Sequence, residues 1–240
     1  MEFTSSNTFG ELAGAKNNTI INKIFDCVSY ILSHFVADLD ENENSITDRF
    51  CKVLNTRKKP EYSFYFHHQN IENAKSGTST DFAVFKTVAF AEVCNIMGVE
   101  DFTSLVKFEA KRLSSALGKR REKEYVHGEY KRGVRVKNSG AIERFKNGLH
   151  GLDVMHVGII GYIQTGSPKC WFEKVNYWIQ EQIESSCDKL LVWDNDDLLV
   201  LDYSKGTLSC YNSTSKRVTG DSVKIKHFWV DFIHDDFLIE

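Results

Sequence analysis

LVKFEAKRL (residues 105–113) decides how this 240-residue chain is read. Within FTSLVKFEAKRL (102–113) it has the length and apolar content of a buried strand, yet charges interrupt it. Glu109 and Lys111 are two residues apart and share one face, while Phe108 and Ala110 point to the other. A carboxylate and an ammonium side by side on a buried strand are costly to desolvate unless each has a partner. A metal ion, a substrate or a simple intrastrand ion pair would each account for them.

Upstream of that strand, YSFYFHH (62–68) has the aromatic richness of a strand, and GTSTDFAVF (77–85) supplies a turn and another strand. Together they predict a hairpin. Asp81 starts its second strand, and antiparallel pairing with 102–113 brings it beside Glu109. The stretch between, around AFAEVCNIMG (89–98), fits either a short helix or an extended excursion. Nearer the N-terminus, Ile20, Ile21, Ile24, Phe25, Val28, Ile31, Leu32 and Phe35 fall at helical spacing over 20–36. A second helix over 41–54 buries Ile46, Phe50, Val53 and Leu54. On it Glu43 turns toward the protein, although Asp40 followed by Glu43 also reads as a helix-capping pair.

Downstream, SGAIERFKNGLHG (139–151) predicts a helix capped by Ser139 and stopped by Gly148 or Gly151. VMHVGIIGYIQ (154–164) then reads as a strand long enough to cross a sheet centre. This strand, helix, strand order predicts a right-handed crossover and a parallel pair. Beyond Pro168, WFEKVNYWIQEQI (171–183) predicts an amphipathic helix that buries Trp171, Val175, Trp178 and Ile179. The tail from Leu190 to Phe232 reads as three or four short antiparallel strands, with turns at Asp194 to Asp197, Lys205-Gly206 and Thr219-Gly220-Asp221. The acidic turn lacks the spacing of a calcium loop. The expected architecture is α/β, with residues 1–188 as a domain carrying an N-terminal helix and 189–240 as an antiparallel β extension packed on it.

The composition, 42% hydrophobic and 26% charged, excludes disordered and fibrous classes, and only two prolines leave little room for a flexible linker. Six cysteines without a C-x-x-C pair point to reduced thiols in the cytoplasm. No leader pattern opens the chain, and no window approaches the roughly 18 apolar residues of a membrane span. The net charge of −3 conceals polarity: residues 111–146 carry 12 basic and 4 acidic side chains, a net of +8, which leaves −11 elsewhere. Such a segment favours a polyanion partner, or else forms a solvated basic face. Its Lys119, Arg120, Arg121, Lys123, Lys131, Arg132, Arg135 and Lys137 follow the charged strand directly and suit phosphate contacts. His127 is a lone histidine in a polar loop, expected in solvent. His67 and His68 face opposite ways and cannot both ligate one ion. Nothing in the sequence sets an oligomeric state.

Two carboxylates that converge on one point repel each other without a cation, and hard oxygen ligands with incomplete protein coordination suit Mg²⁺. A neighbouring lysine then orients or helps deprotonate a bound water, while the metal offsets charge developing on a phosphodiester. With Asp81, then Glu109-Ala110-Lys111 on the next strand and Glu43 on the preceding helix, the chain resembles the PD-(D/E)xK superfamily, the restriction-endonuclease-like nucleases. The common core of that family, helix, three strands, helix and fourth strand, maps onto residues 41–164. The resemblance implies a mixed sheet flanked by helices and Mg²⁺-dependent hydrolysis of phosphodiester bonds, with Mn²⁺ as a substitute metal and DNA favoured over RNA. It further implies Asp81 and Glu109 as metal ligands, the Ala110 carbonyl as another, Lys111 at the attacking water, Glu43 as an accessory acid and Gln164 as an auxiliary glutamine.

The chain departs from the family pattern at Thr80, where the motif name has proline, and in the long gap between Asp81 and Glu109. A second E-x-K, Glu129-Tyr130-Lys131, lies in a polar stretch with no strand character. Two other classes stay open: a nucleic-acid-binding module without turnover, and a protein-interaction scaffold built on the C-terminal strands with Trp171, Trp178, Trp193 and Trp229.

Overall fold

The hairpin expected around Asp81 forms. β1 (Phe64–Asn73) pairs antiparallel with β2 (Thr78–Lys86), and β2 pairs antiparallel with β3 (Ser104–Leu113). The computed structural model describes residues 7–73, 77–87, 103–131, 134–137, 140–185 and 190–233, so the ambiguous 89–98 stretch lies outside the described residues. β1 continues past His68 through polar residues of low strand propensity because Asn70↔Thr80 and Ile71↔Ser79 still pair. Further along, β6 (His156–Ile163) runs parallel to β3 in unbroken register from Lys107↔Val157 to Leu113↔Ile163. Between them lie a helical turn (Lys119–Glu122), a small hairpin of β4 (Glu129–Lys131) with β5 (Val134–Lys137), and α3 (Ala141–Lys146); the second E-x-K is thus a strand after all, because pairing with β5 overrides its polar composition.

The tail supplies β7 (Val200–Lys205), β8 (Leu208–Ser215) and β9 (Val223–Asp231). Their mutual pairing is antiparallel as expected, but β9 lies parallel beside β6. The result is one seven-stranded mixed sheet in the order β1-β2-β3-β6-β9-β8-β7. β6 is the physical reason. Val157, Ile159 and Ile163 face one side of the sheet and Ile160 and Tyr162 the other, all buried, and such a strand is stable only with neighbours on both edges.

Helices cover both faces. On one, α1 (Asn7–Leu32) and α2 (Glu43–Arg57) pack Ile24, Val28, Leu32, Ile46, Phe50 and Leu54 against Phe82, Phe108, Ile160 and Phe228. On the other, α3 and α4 (Pro168–Ser185) pack Phe145, Trp171 and Trp178 against Val157, Ile159 and Trp229. Each fully buried large apolar side chain contributes about 1.5–3 kcal/mol, so the sheet is the common floor of two cores. The cap of α2 differs from the expected Asp40 pair: Asn42 accepts the Ser45 N–H at 2.9 Å. This sets Glu43 in the first helical turn. At α3 the cap is Gly140, and Ser139 lies outside the described residues. The expected stops are present in Gly148 and Gly151, both at positive φ. Among the described residues no helix is long and apolar enough to cross a membrane.

Candidate active site

β2 and β3 part after the pair Phe82↔Phe108, and the backbone N–H groups of Ala110 and Arg112 lie beyond that last rung. Buried amides need acceptors. Carboxylates supply them: Asp81 Oδ2 accepts the Ala110 N–H at 2.6 Å, and Glu43 Oε2 accepts the Arg112 N–H at 3.0 Å. The place where the sheet splays is therefore where two acids are drawn onto β3. Lys111, on the opposite face from Phe108 and Ala110 as the strand alternation requires, folds its ammonium back to donate to Glu43 Oε1 at 3.1 Å and to the Ala110 carbonyl at 2.8 Å. Its Nζ is 3.9 Å from Glu109 Oε2. Glu43, Asp81, Glu109 and Lys111, spread over almost 70 positions of chain, thus meet in one place.

Glu109 is fully buried and has two further partners. His150 Nδ1 lies 2.5 Å from Oε1, and Arg144 donates to Oε2 at 3.2 Å. The sequence reading missed both residues. A usable signal was present, because a crossover helix packs over the strand it leaves, and charged residues in 139–151 then face the charged side of β3. The cleft encloses about 450 Å³ and is lined by Glu43, Asp81, Lys111, Glu124, Arg144 and His150, among others.

Three different balances govern the charges. For Asp81, burial and then repulsion from Glu109 outweigh the help from Lys111 and the Ala110 N–H, and the pKa is pushed up to about 7. For Glu109, burial also opposes charge, but the hydrogen bond and charge of His150, then Lys111 and Arg144, win and hold the carboxyl below its usual range. For Lys111, burial would lower the pKa, yet Glu43, Asp81 and Glu109 outweigh it and keep the ammonium protonated well above the usual lysine range.

The other expected site residues are more dispersed. Gln164 is buried at the end of β6, where its amide donates to the Glu41 carbonyl at 2.9 Å, and so braces the segment before α2. Lys119, Arg120 and Arg121 lie in the helical turn after β3, and Arg121 is exposed, 3.9 Å from Glu124. Lys123 pairs with Glu181 at 2.8 Å. Lys131 ends β4, Arg135 and Lys137 lie on β5, and Arg132 is outside the described residues. His127 is buried, with Nδ1 2.7 Å from the Gly128 carbonyl, which corrects its expected place in solvent. The acidic turn is a short 3-10 segment, Asn195–Asp197, whose Asp197 is buried against Lys146.

Of the expected cation ligands only Asp81 lines the cleft, whereas Glu109 is fully buried with its oxygens held by His150 and Arg144, and the Ala110 carbonyl accepts from Lys111. Among the described residues no group of three or more His, Cys, Asp or Glu side chains is disposed to hold a metal ion. All three expected ligands carry hard oxygens, the donor type that Mg²⁺ takes. The raised pKa of Asp81 marks a carboxylate whose charge the surrounding protein leaves undercompensated. No protein-family model, no curated protein and no solved structure matches this chain.

Proposed function

We propose that this chain is a divalent-metal-dependent phosphodiester hydrolase with a restriction-endonuclease-like core, acting on DNA. The observation that carries the reading is the convergence of Asp81, Glu109, Lys111 and Glu43 where β2 and β3 splay, on the sheet face next to the crossover helix. Asp81 and Glu109, with the Ala110 carbonyl, are the groups that would hold Mg²⁺. When bound, the ion supplies Lewis-acid stabilisation of charge on phosphate oxygens.

The remaining steps belong to the chain itself. Lys111, kept as an ammonium by three carboxylates, donates to the attacking water or to a phosphate oxygen and acts as a fixed positive charge rather than as a base. Glu43 orients that ammonium. Arg144 presents a second cation at the cleft wall, where it can offset phosphate charge. The basic stretch that follows β3 supports binding of a polyanion near the cleft. The preference for DNA rests on the resemblance of the motif alone.

Cleavage of supercoiled plasmid, of duplex and single-stranded oligonucleotides and of RNA, with Mg²⁺ and with chelator, tests the reading. Asp81→Ala and Lys111→Ala are each expected to lose at least about 100-fold in rate; cleavage that survives both rejects the site. Engagement of both Glu109 oxygens by His150 and Arg144 favours one alternative, a binding module without turnover. Salt-sensitive DNA binding with no metal-dependent product would select that alternative.

A further inference from the structure

Beside the cleft lies a second cavity of about 590 Å³ that shares Thr78 and Leu149 with it as walls. Its volume falls in the range of roughly 300–1,000 Å³ typical of small-ligand sites. Lys107 lines it, two residues before Glu109 on β3 and therefore about 6.6 Å along the strand. The Lys107 ammonium bridges Glu72 at 2.8 Å and Asp153 at 2.6 Å. Glu72 is saturated, since it also accepts from the Thr80 hydroxyl at 3.1 Å and the Gly151 N–H at 3.3 Å. Asp153 accepts from Lys107 and, at 3.3 Å, from the Ser104 hydroxyl, but its side chain is 46% exposed and borders the cavity.

The rim is apolar. Ile71 and Leu152 are 68% and 52% exposed, and with Leu149 they place three large hydrophobic side chains around one opening. Such clustering on a surface marks a binding site more often than chance exposure does. Two acids against one ammonium make the interior repel phosphate, while the half-exposed carboxylate of Asp153 suits one more N–H donor. A flat ligand with apolar faces and an amine on its edge satisfies both conditions. Beside a site for a phosphodiester, that ligand is a nucleobase.

We propose that this cavity receives the nucleobase next to the scissile phosphate and prefers cytosine to thymine, because Asp153 can accept from the cytosine exocyclic amine and would oppose the thymine O4. The inference rests on the phosphodiester reading of the neighbouring cleft. Its test uses nucleosides, which carry no phosphate and need no cleavage, so the two ideas fail separately. Deoxycytidine and thymidine are titrated into the full chain without metal, followed by amide shifts of Ser104, Gly151 and Leu152. Deoxycytidine is expected to bind about tenfold more tightly than thymidine. Asp153→Asn should abolish that preference with thymidine binding retained, and Leu152→Ala should weaken both several-fold. Equal binding of the two nucleosides, selectivity that survives Asp153→Asn, or no binding below about 10 mM each overturns the pocket, whatever the cleavage assay shows. Absence of cleavage with selective nucleoside binding intact would instead overturn the hydrolase reading alone.

Discussion

Asp81 accepts the Ala110 N–H at 2.6 Å, yet it faces Glu109 and Glu43 in a place where burial already disfavours charge, so its pKa rises to about 7. A carboxyl whose folded pKa exceeds its unfolded value of about 3.9 contributes its stability fully below pH 4 and loses it as the pH climbs through 7. Asn in its place cannot ionise. Asp81→Asn is therefore expected to stabilise the metal-free chain over wild type by more at pH 8 than at pH 5. The difference should be on the order of 2 kcal/mol, reduced from the full shift because Asp81 keeps some contact with solvent. Urea unfolding at the two pH values measures it, and an equal effect at both would contradict the assigned cause. Glu109 and Lys111 were legible because strand periodicity says which side chains share a face, and Asp81 because antiparallel pairing of its strand brings it beside them. Arg144 and His150 were not read, because their partnership with Glu109 depends on how a helix and its following turn fold back over the sheet.

At the scale of elements, the β2, β3 and β6 trio sets the site, and its packing is close. Phe82 and Phe108 stack across the strands with centroids 4.5 Å apart. Gly158, paired with Phe108 on β6, leaves room for that ring: a Cβ there would fall 2.2 Å from Phe108 Cδ1. Gly158→Ala must displace the ring and is expected to destabilise the protein by about 1–3 kcal/mol. A urea midpoint within error of wild type would show that the stack is not tight. These strands were legible from their apolar runs and turn residues, as was the parallel β3–β6 pair from element order. The parallel seat of β9 was not, because alternation along a strand reports which face is buried and says nothing about which neighbour it joins.

Across the whole molecule, the tail and the crossover are tied by a buried ion pair. Lys146 Nζ on α3 lies 2.7 Å from each Asp197 oxygen, both side chains are fully buried, and the Trp193 ring centroid is 4.6 Å from the ammonium. From the sequence Asp197 reads only as part of an acidic turn. Its burial follows from β8 and α3 closing over it, a long-range event that local spacing does not encode. Asp197→Ala strands the ammonium and is expected to cost about 3–5 kcal/mol. Because α3 carries Arg144, the same change should also reduce cleavage. Replacing both partners, Lys146→Met with Asp197→Leu, should recover most of the stability. A double variant as unstable as the single one would show that the pair does more than satisfy its own charges.

The most direct measurement is a crystal structure of the chain soaked in Mn²⁺, with the ion located by its anomalous signal. The expected result is a peak at the splayed end of β2 and β3, within coordination distance of Asp81, Glu109 and the Ala110 carbonyl, with Glu109 released from at least one of His150 and Arg144. No peak in the cleft, with Glu109 still bound to both residues, would contradict the metal site and with it the proposed hydrolysis.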